Sequence, residues 1–243
     1  NALGHLVINN NTGVILNGIL DIYGSLTYGN NGVDLKTNNL LTLKSTLANT
    51  AWIGNMTGKT IEGDVTVERY IPNHSKAWQF LSVPVTGLQT IHEAWQDTAN
   101  FANQNRFPGF GTMLTSNLPG ALALGFDVYT APGPSIKVYN SNTGGYIGVP
   151  STKTTAISNP RGYMVFVRGD RSVTAHNQPA TSTVLRTKGR LYTPADAPPV
   201  TTVQAGRFES VGNPYASAID YSQVLKSGGV QTDIFYMWDP NLT

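Results

Sequence analysis

Asn17-Gly-Ile-Leu-Asp-Ile-Tyr23, followed by Ser25-Leu-Thr-Tyr28 and then Gly29-Asn-Asn-Gly32, is the stretch on which the fold turns. Short apolar runs of high strand propensity are cut off by Asn and Gly, the two residues that accept positive φ most readily. The same texture extends on either side. Leu6-Val-Ile8, Val14-Ile-Leu16, Val33-Asp-Leu35 and Leu40-Leu-Thr-Leu43 are further strand candidates, separated by Asn9-Asn-Asn-Thr-Gly13, Asn17-Gly18 and Asn38-Asn39. Apolar triplets at this short spacing predict a strand ladder over residues 1–60, a meander or a few coils of a β-solenoid, with an exposed edge.

From about residue 61 the strand candidates lengthen and gain aromatics. Asp64 to Ile71 alternates and stops at Pro72, Ala77 to Val83 stops at Pro84, and Ser135 to Tyr139 runs into Asn140 and a Gly144-Gly145 turn. Gly162 to Arg168 is a continuous apolar run of the kind buried on both faces. Ser182 to Arg186, Gly206 to Val211 and Ile234 to Trp238 complete the set. Strands stopped by Pro or Gly read as a β-sandwich, jelly-roll-like, over residues 61–243. Two short helices are expected. Thr90 and Glu93 form a capping box ahead of a helix to Ala99, and Ser217 with Asp220 approximates one ahead of Ile219 to Lys226, with Gly228-Gly229 as its stop. The stretch from Asn100 to Pro134 is loop-rich and the natural place for a binding surface.

Only 12% of the 243 residues are charged, against roughly 25% in an ordinary soluble domain. Thr, Asn and Gly together make up close to a third of the chain, which suits tightly turned strands in an extracellular β protein better than a cytosolic enzyme. A net charge of +2 with scattered basic residues gives no footprint for nucleic acid. Without cysteine there are no disulfides, thiolate ligands or thiol nucleophiles. No apolar run approaches the ~20 residues that span a bilayer as a helix, so no membrane insertion is expected. The start at Asn1 and the late turn signal Asp239-Pro240-Asn241 suggest a portion of something longer, truncated at a C-terminal junction.

Four segments carry a resemblance. Glu62-Gly-Asp-Val-Thr-Val-Glu-Arg-Tyr-Ile-Pro72, Ala77-Trp-Gln-Phe-Leu-Ser-Val-Pro-Val85, Gly162-Tyr-Met-Val-Phe-Val-Arg-Gly-Asp-Arg171 and Val211-Gly-Asn-Pro-Tyr215, in that order, resemble landmarks of large secreted surface proteins of Bacteroidetes-type bacteria. The resemblance covers roughly residues 60–241. It implies an adhesin-like module at the bacterial cell surface, exported by type IX secretion, and brings no catalytic motif with it.

The residues themselves point away from catalysis. His92-Glu93 opens like a zinc-protease motif, but Gln96 stands where the second His is required, and His5, His74 and His176 lack ligand spacing. There is no Gly-x-Ser-x-Gly elbow and no phosphate-binding fingerprint. Carboxylate pairs such as Asp64 with Glu68, or Asp127 with Asp170, carry no distinguishing mark. Arg168-Gly169-Asp170 spells the integrin tripeptide, but it ends an apolar strand and reads as a structural turn. We expect no enzyme, no cofactor, and a structural Ca²⁺ only at the loop oxygens near Asn30, Asn31 and Asp34.

Three further readings concern the surface. Asp97-Thr98-Ala99 resembles the O-glycosylation sequon of Bacteroidetes exported proteins, making Thr98 the glycosylation candidate of a glycoprotein; a polar helix end is the structural alternative. Tyr129, Tyr139 and Tyr146 flank glycine-rich loops and are the sugar-stacking candidates, whereas Trp78 and Trp238 are expected in the core. The preferred function is a non-catalytic structural or adhesive module of a surface protein or self-assembling fibre or filament. Its partners would be copies of itself or adjoining modules, joined by strand addition at exposed sheet edges. A carbohydrate-binding module that grips polysaccharide is the alternative.

Overall fold

A computed structural model describes residues 1–73, 75–99, 104–129, 133–196, 200–231 and 234–237. The chain is nearly all β. The N-terminal region coils rather than meanders: β1 (Ala2–Ile8), β3 (Leu20–Tyr28), β5 (Leu41–Leu43) and β8 (Asp64–Ile71) stack as parallel rungs. A second sheet, formed by β2 (Val14–Ile15), β4 (Asp34–Lys36) and β7 (Thr60–Glu62), is also parallel. Parallel pairing requires the chain to return to the same end before each new rung, and the Asn/Gly clusters bend it back. Register stacks like on like. Leu3, Ile22, Leu43 and Val67 align along one sheet, and Val14, Leu35 and Ile61 along the other. Ile22, Leu26, Leu35, Leu41 and Leu43 are almost wholly buried in the shared core.

The runs Ile19 to Tyr23 and Ser25 to Tyr28, read as two strands, are a single strand. Gly24 does not interrupt β3 because the rung on one side continues past it from Leu3 to His5 through a register shift. The other neighbour does break. After β5 the chain makes an excursion and resumes as β6 (Trp52–Ile53), again parallel to β3.

The sheet does not stop at residue 60. β8 pairs with β5 on one side and, antiparallel over its whole length, with β14 (Thr183–Leu191) on the other; β10 (Val85–Thr86) closes that edge. Opposite it lies a four-stranded antiparallel sheet in the order β12 (Gly145–Gly148), β11 (Ile136–Asn140), β13 (Tyr163–Val167), β9 (Ala77–Leu81). The sheet-on-sheet core expected after residue 61 is present: Ile136, Tyr163, Val165 and Val167 from one sheet share a buried cluster with Val65, Ile71, Leu185 and Leu191 from the other.

The one α-helix among the described residues, α1 (Ile91–Trp95), keeps the expected capping box, with Thr90 and Glu93 bonded reciprocally. Trp95 places its ring edge-on to Tyr163, at 5.6 Å between centroids. The helix ends before the expected Ala99 because Asp97 and Thr98 turn to positive φ (52° and 54°).

The second expected helix is corrected. Ile219 to Lys226 holds only a 3₁₀ turn, Tyr221–Gln223, capped by Asp220 and not by Ser217. Leu225 and Ile219 are exposed, so no apolar face is buried to stabilise so short a helix. Gly206 to Val211 and Ile234 to Met237 are likewise not strands, having no ladder partner among the described residues. His74, Trp238 and the Asp239-Pro240-Asn241 turn lie outside the described residues.

Candidate functional site

Two surfaces stand out, and the first is the open end of the coil. β1 pairs only with β3 and β2 only with β4 among the described residues, so both sheets present an outer edge at the same end. Leu3, Val7, Ile15 and Ile19 are exposed around those edges. An edge strand of this length, apolar and without Lys or Pro, is a template for another strand. The opposite edge of the large sheet is blunted, since β10 is only two residues long.

The second surface is a cleft of about 990 Å³ where the ladder splits. β5 pairs with β8 through Leu43, after which Lys44 to Ala51 swing away. Ser45 Oγ accepts from the Tyr70 amide, and the Glu68 carboxylate accepts from the Ser45 amide at 3.3 Å and from Lys44 Nζ at 2.5 Å. Side chains thus satisfy the edge of β8 where no strand does. When the chain returns as β6, the Ile53 amide donates to the Ala216 carbonyl, 2.8 Å away. The cleft therefore lies between β6, β8 and the segment around Asn213 to Ala218. Trp52 and Phe80 line it, together with Tyr192 and Tyr215, whose rings meet edge-on at 5.4 Å. The opening turn of the fourth landmark segment is locked here: Asn213 accepts from the Tyr215 amide and donates to the Ser217 carbonyl, and its own carbonyl accepts from Ser82 Oγ.

The sugar-stacking candidates divide. Tyr129 is corrected: it is buried, because the Arg168 guanidinium lies over its ring at 4.4 Å. Tyr139 and Tyr146, by contrast, are brought together as a cross-strand pair on β11 and β12, with centroids 5.2 Å apart, and Tyr146 is 42% exposed. Burial pushes the Tyr146 hydroxyl up, and neighbouring Tyr139 adds to the shift. Trp78 packs edge-on against Phe166, with Lys137 Nζ 4.4 Å from its ring centre.

The Arg168-Gly169-Asp170 tripeptide is a structural corner. Arg168 is buried and donates to the Met113 carbonyl; Asp170 accepts from the Gly109 amide and from the Ser172 and Thr181 hydroxyls. Burial alone would raise the Asp170 carboxyl, but these hydrogen bonds outweigh it and hold the group below the usual range. Next to it, Arg171 and Asp127 form a buried bidentate pair that Gln96 joins. Sequence reasoning missed this knot, since its members are scattered from residue 96 to residue 171.

Thr98 is half-buried, and its hydroxyl accepts from Arg106 Nη1 at 2.6 Å. Asp97 beside it is ion-paired to Arg186 at 2.6 Å. Near the proposed calcium loop, Asp34 accepts from Thr60 Oγ1 and the Asn31 amide donates to Asn9, contacts that tie neighbouring coils. His92 sits against Gln96, and Glu93 is spent on the helix cap. Among the described residues no group of three or more His, Asp or Glu side chains is placed to hold a metal ion.

Compared with family models, curated proteins and solved structures, the chain matches none of them.

Proposed function

We propose that this chain is a non-catalytic structural or adhesive module of an extracellular bacterial surface protein or fibre, joined to its neighbours by strand addition at the open end of the coil. The observation that carries this reading is the coincidence of two sheet edges, β1 and β2, unpaired among the described residues, with four exposed apolar side chains at one end. Among the described residues no strand pairs with the outer backbone groups of β1 and β2, and the exposed Leu, Val and Ile residues would gain burial when another strand arrives. A surface location and type IX export remain part of the proposal on the four resembling segments. A second copy of the chain or an adjoining module is the natural partner, since either offers a rung of the same spacing.

The test is light scattering and sedimentation across a wide concentration range, comparing the native chain with Val7→Lys/Ile15→Lys. Association that the double variant abolishes supports the reading. A native chain that stays monomeric throughout, and captures no synthetic peptide of the Leu20–Tyr28 sequence, sinks it.

A further inference from the structure

The cleft and the outer face of the four-stranded sheet are one surface. Strand alternation puts Trp78 and Phe80 of β9, Phe166 of β13, Lys137 and Tyr139 of β11 and Tyr146 of β12 on the side facing away from the core. Phe80 belongs to both regions: it lines the cleft with Trp52 and Tyr215, and its ring stands edge-on to Tyr146 at 6.4 Å. Tyr146 in turn meets Tyr139 at 5.2 Å. Aromatic rings thus extend from the cleft, where Phe80 shares the lining with Trp52, 47% exposed, through Tyr146 to Tyr139 on the hairpin.

We infer that this track binds an extended acidic polysaccharide, its sugar rings stacked on Trp52, Phe80 and Tyr146. Rings held half-open beside hydrogen-bonding groups suit a ligand that is apolar on its faces and polar at its edges, as a pyranose is. The Asn55 side-chain amide and the Ser217 hydroxyl in the cleft supply such groups. The charge left over decides the sugar class. Glu68 is neutralised by Lys44, and Asp196, which lies near Tyr192, is neutralised by Arg190. Arg69 in the cleft and Lys137 on the sheet face have no acidic partner among the described residues. Among the described residues the uncompensated charge along the track is positive, and it favours a uronate or sulfated chain over a neutral one. This takes up the carbohydrate reading of the sequence but moves it from Tyr129 to Trp52 and Phe80. It is independent of assembly at the coil end, so a strictly monomeric chain leaves it standing.

Calorimetry of the full chain with polygalacturonate, with a soluble neutral glucan as comparator, tests the inference. Expected are saturable binding to polygalacturonate, at least about tenfold weaker for Trp52→Ala and Tyr146→Ala, and loss of the preference for the acidic chain in Arg69→Gln. Added salt should weaken it. Circular dichroism confirms that the variants fold, and Tyr23→Ala, an exposed aromatic on the coil, should bind as the native chain does. Absence of binding to polygalacturonate overturns the inference, as does equal affinity for the neutral glucan or indifference to both aromatic variants. A dimer that Trp52→Ala dissolves would assign the track to a second copy instead.

Discussion

Arg171 grips Asp127 through two hydrogen bonds, Nη2 to Oδ1 at 2.5 Å and Nη1 to Oδ2 at 3.0 Å, with both side chains all but inaccessible to water. Both side chains make further hydrogen bonds. Arg171 reaches the Thr112 and Gln104 carbonyls, and Asp127 takes the Leu114 amide and Gln96 Nε2. One side-chain pair therefore pins the long loop-rich stretch to β13 and α1. Removing one partner strands the other charge, so Arg171→Leu should cost about 3–5 kcal/mol in urea unfolding. Adding Asp127→Leu should cost far less than a second loss of that size, because no uncompensated charge remains. Strict additivity of the two would show that the pair is not coupled.

Asp170 sets a pH dependence. Its carboxyl is held below the ordinary value, so the unfolded chain takes up the proton first as pH falls. The stability it contributes is complete above the unfolded value of about 3.9 and is lost as pH drops through that value toward the folded one. Asp97 works in the opposite sense: burial raises its carboxyl despite Arg186, so its ionisation costs stability as pH rises through and above the ordinary range. In Asp170→Asn the drop in melting temperature below about pH 4 should shrink, and at neutral pH the variant should be about 1–3 kcal/mol less stable, as donors lose a charged acceptor. An acid limb identical to that of the native chain would assign it to other carboxylates.

Legibility from sequence followed the range of the interactions. Asp64 to Ile71 could be read to the residue, because alternation and Pro72 are both local signals. Thr183–Leu191 was expected only as far as Arg186: Lys188-Gly189-Arg190 breaks the apolar pattern, while pairing with β8 and with β10 carries the strand through. Tyr129 looked exposed because its chain neighbours are loop residues, and the group that buries it, Arg168, arrives from another strand. The cleft was invisible for the same reason. Its walls come from residues near 52, 68, 80, 192 and 215, and only the split of the ladder brings them together.

The coil has a graded interior, which truncation can read. Leu3 and Ile22 occupy equivalent positions on adjacent rungs, but Ile22 is wholly buried and Leu3 is 39% exposed. Ile22→Ala should lower stability by about 2–5 kcal/mol. Leu3→Ala should cost under about 1 kcal/mol, as an exposed side chain surrenders little burial. If the native chain associates through its open end, that small cost should grow with protein concentration, a trend absent from Ile22→Ala.

Gly63 joins β7 to β8 at the point where the chain passes from one sheet of the coil to the other. Its φ is +91°, and an added Cβ would lie 2.6 Å from Thr37 Oγ1. That hydroxyl is not free to move, since it bridges the Glu62 and Asp64 carbonyls on either side of the glycine. Gly63→Ala therefore combines backbone strain with the loss of a bridge and should cost about 2–4 kcal/mol. Gly58 is the comparison: its φ is +69° but a Cβ there would meet nothing within 4 Å. Gly58→Ala should show the strain alone, about 1 kcal/mol. In a double-mutant cycle, Thr37→Ala should relieve part of the Gly63→Ala penalty and none of the Gly58→Ala penalty. Equal costs for the two glycine variants would mean that the Thr37 bridge contributes nothing to the crossing between sheets.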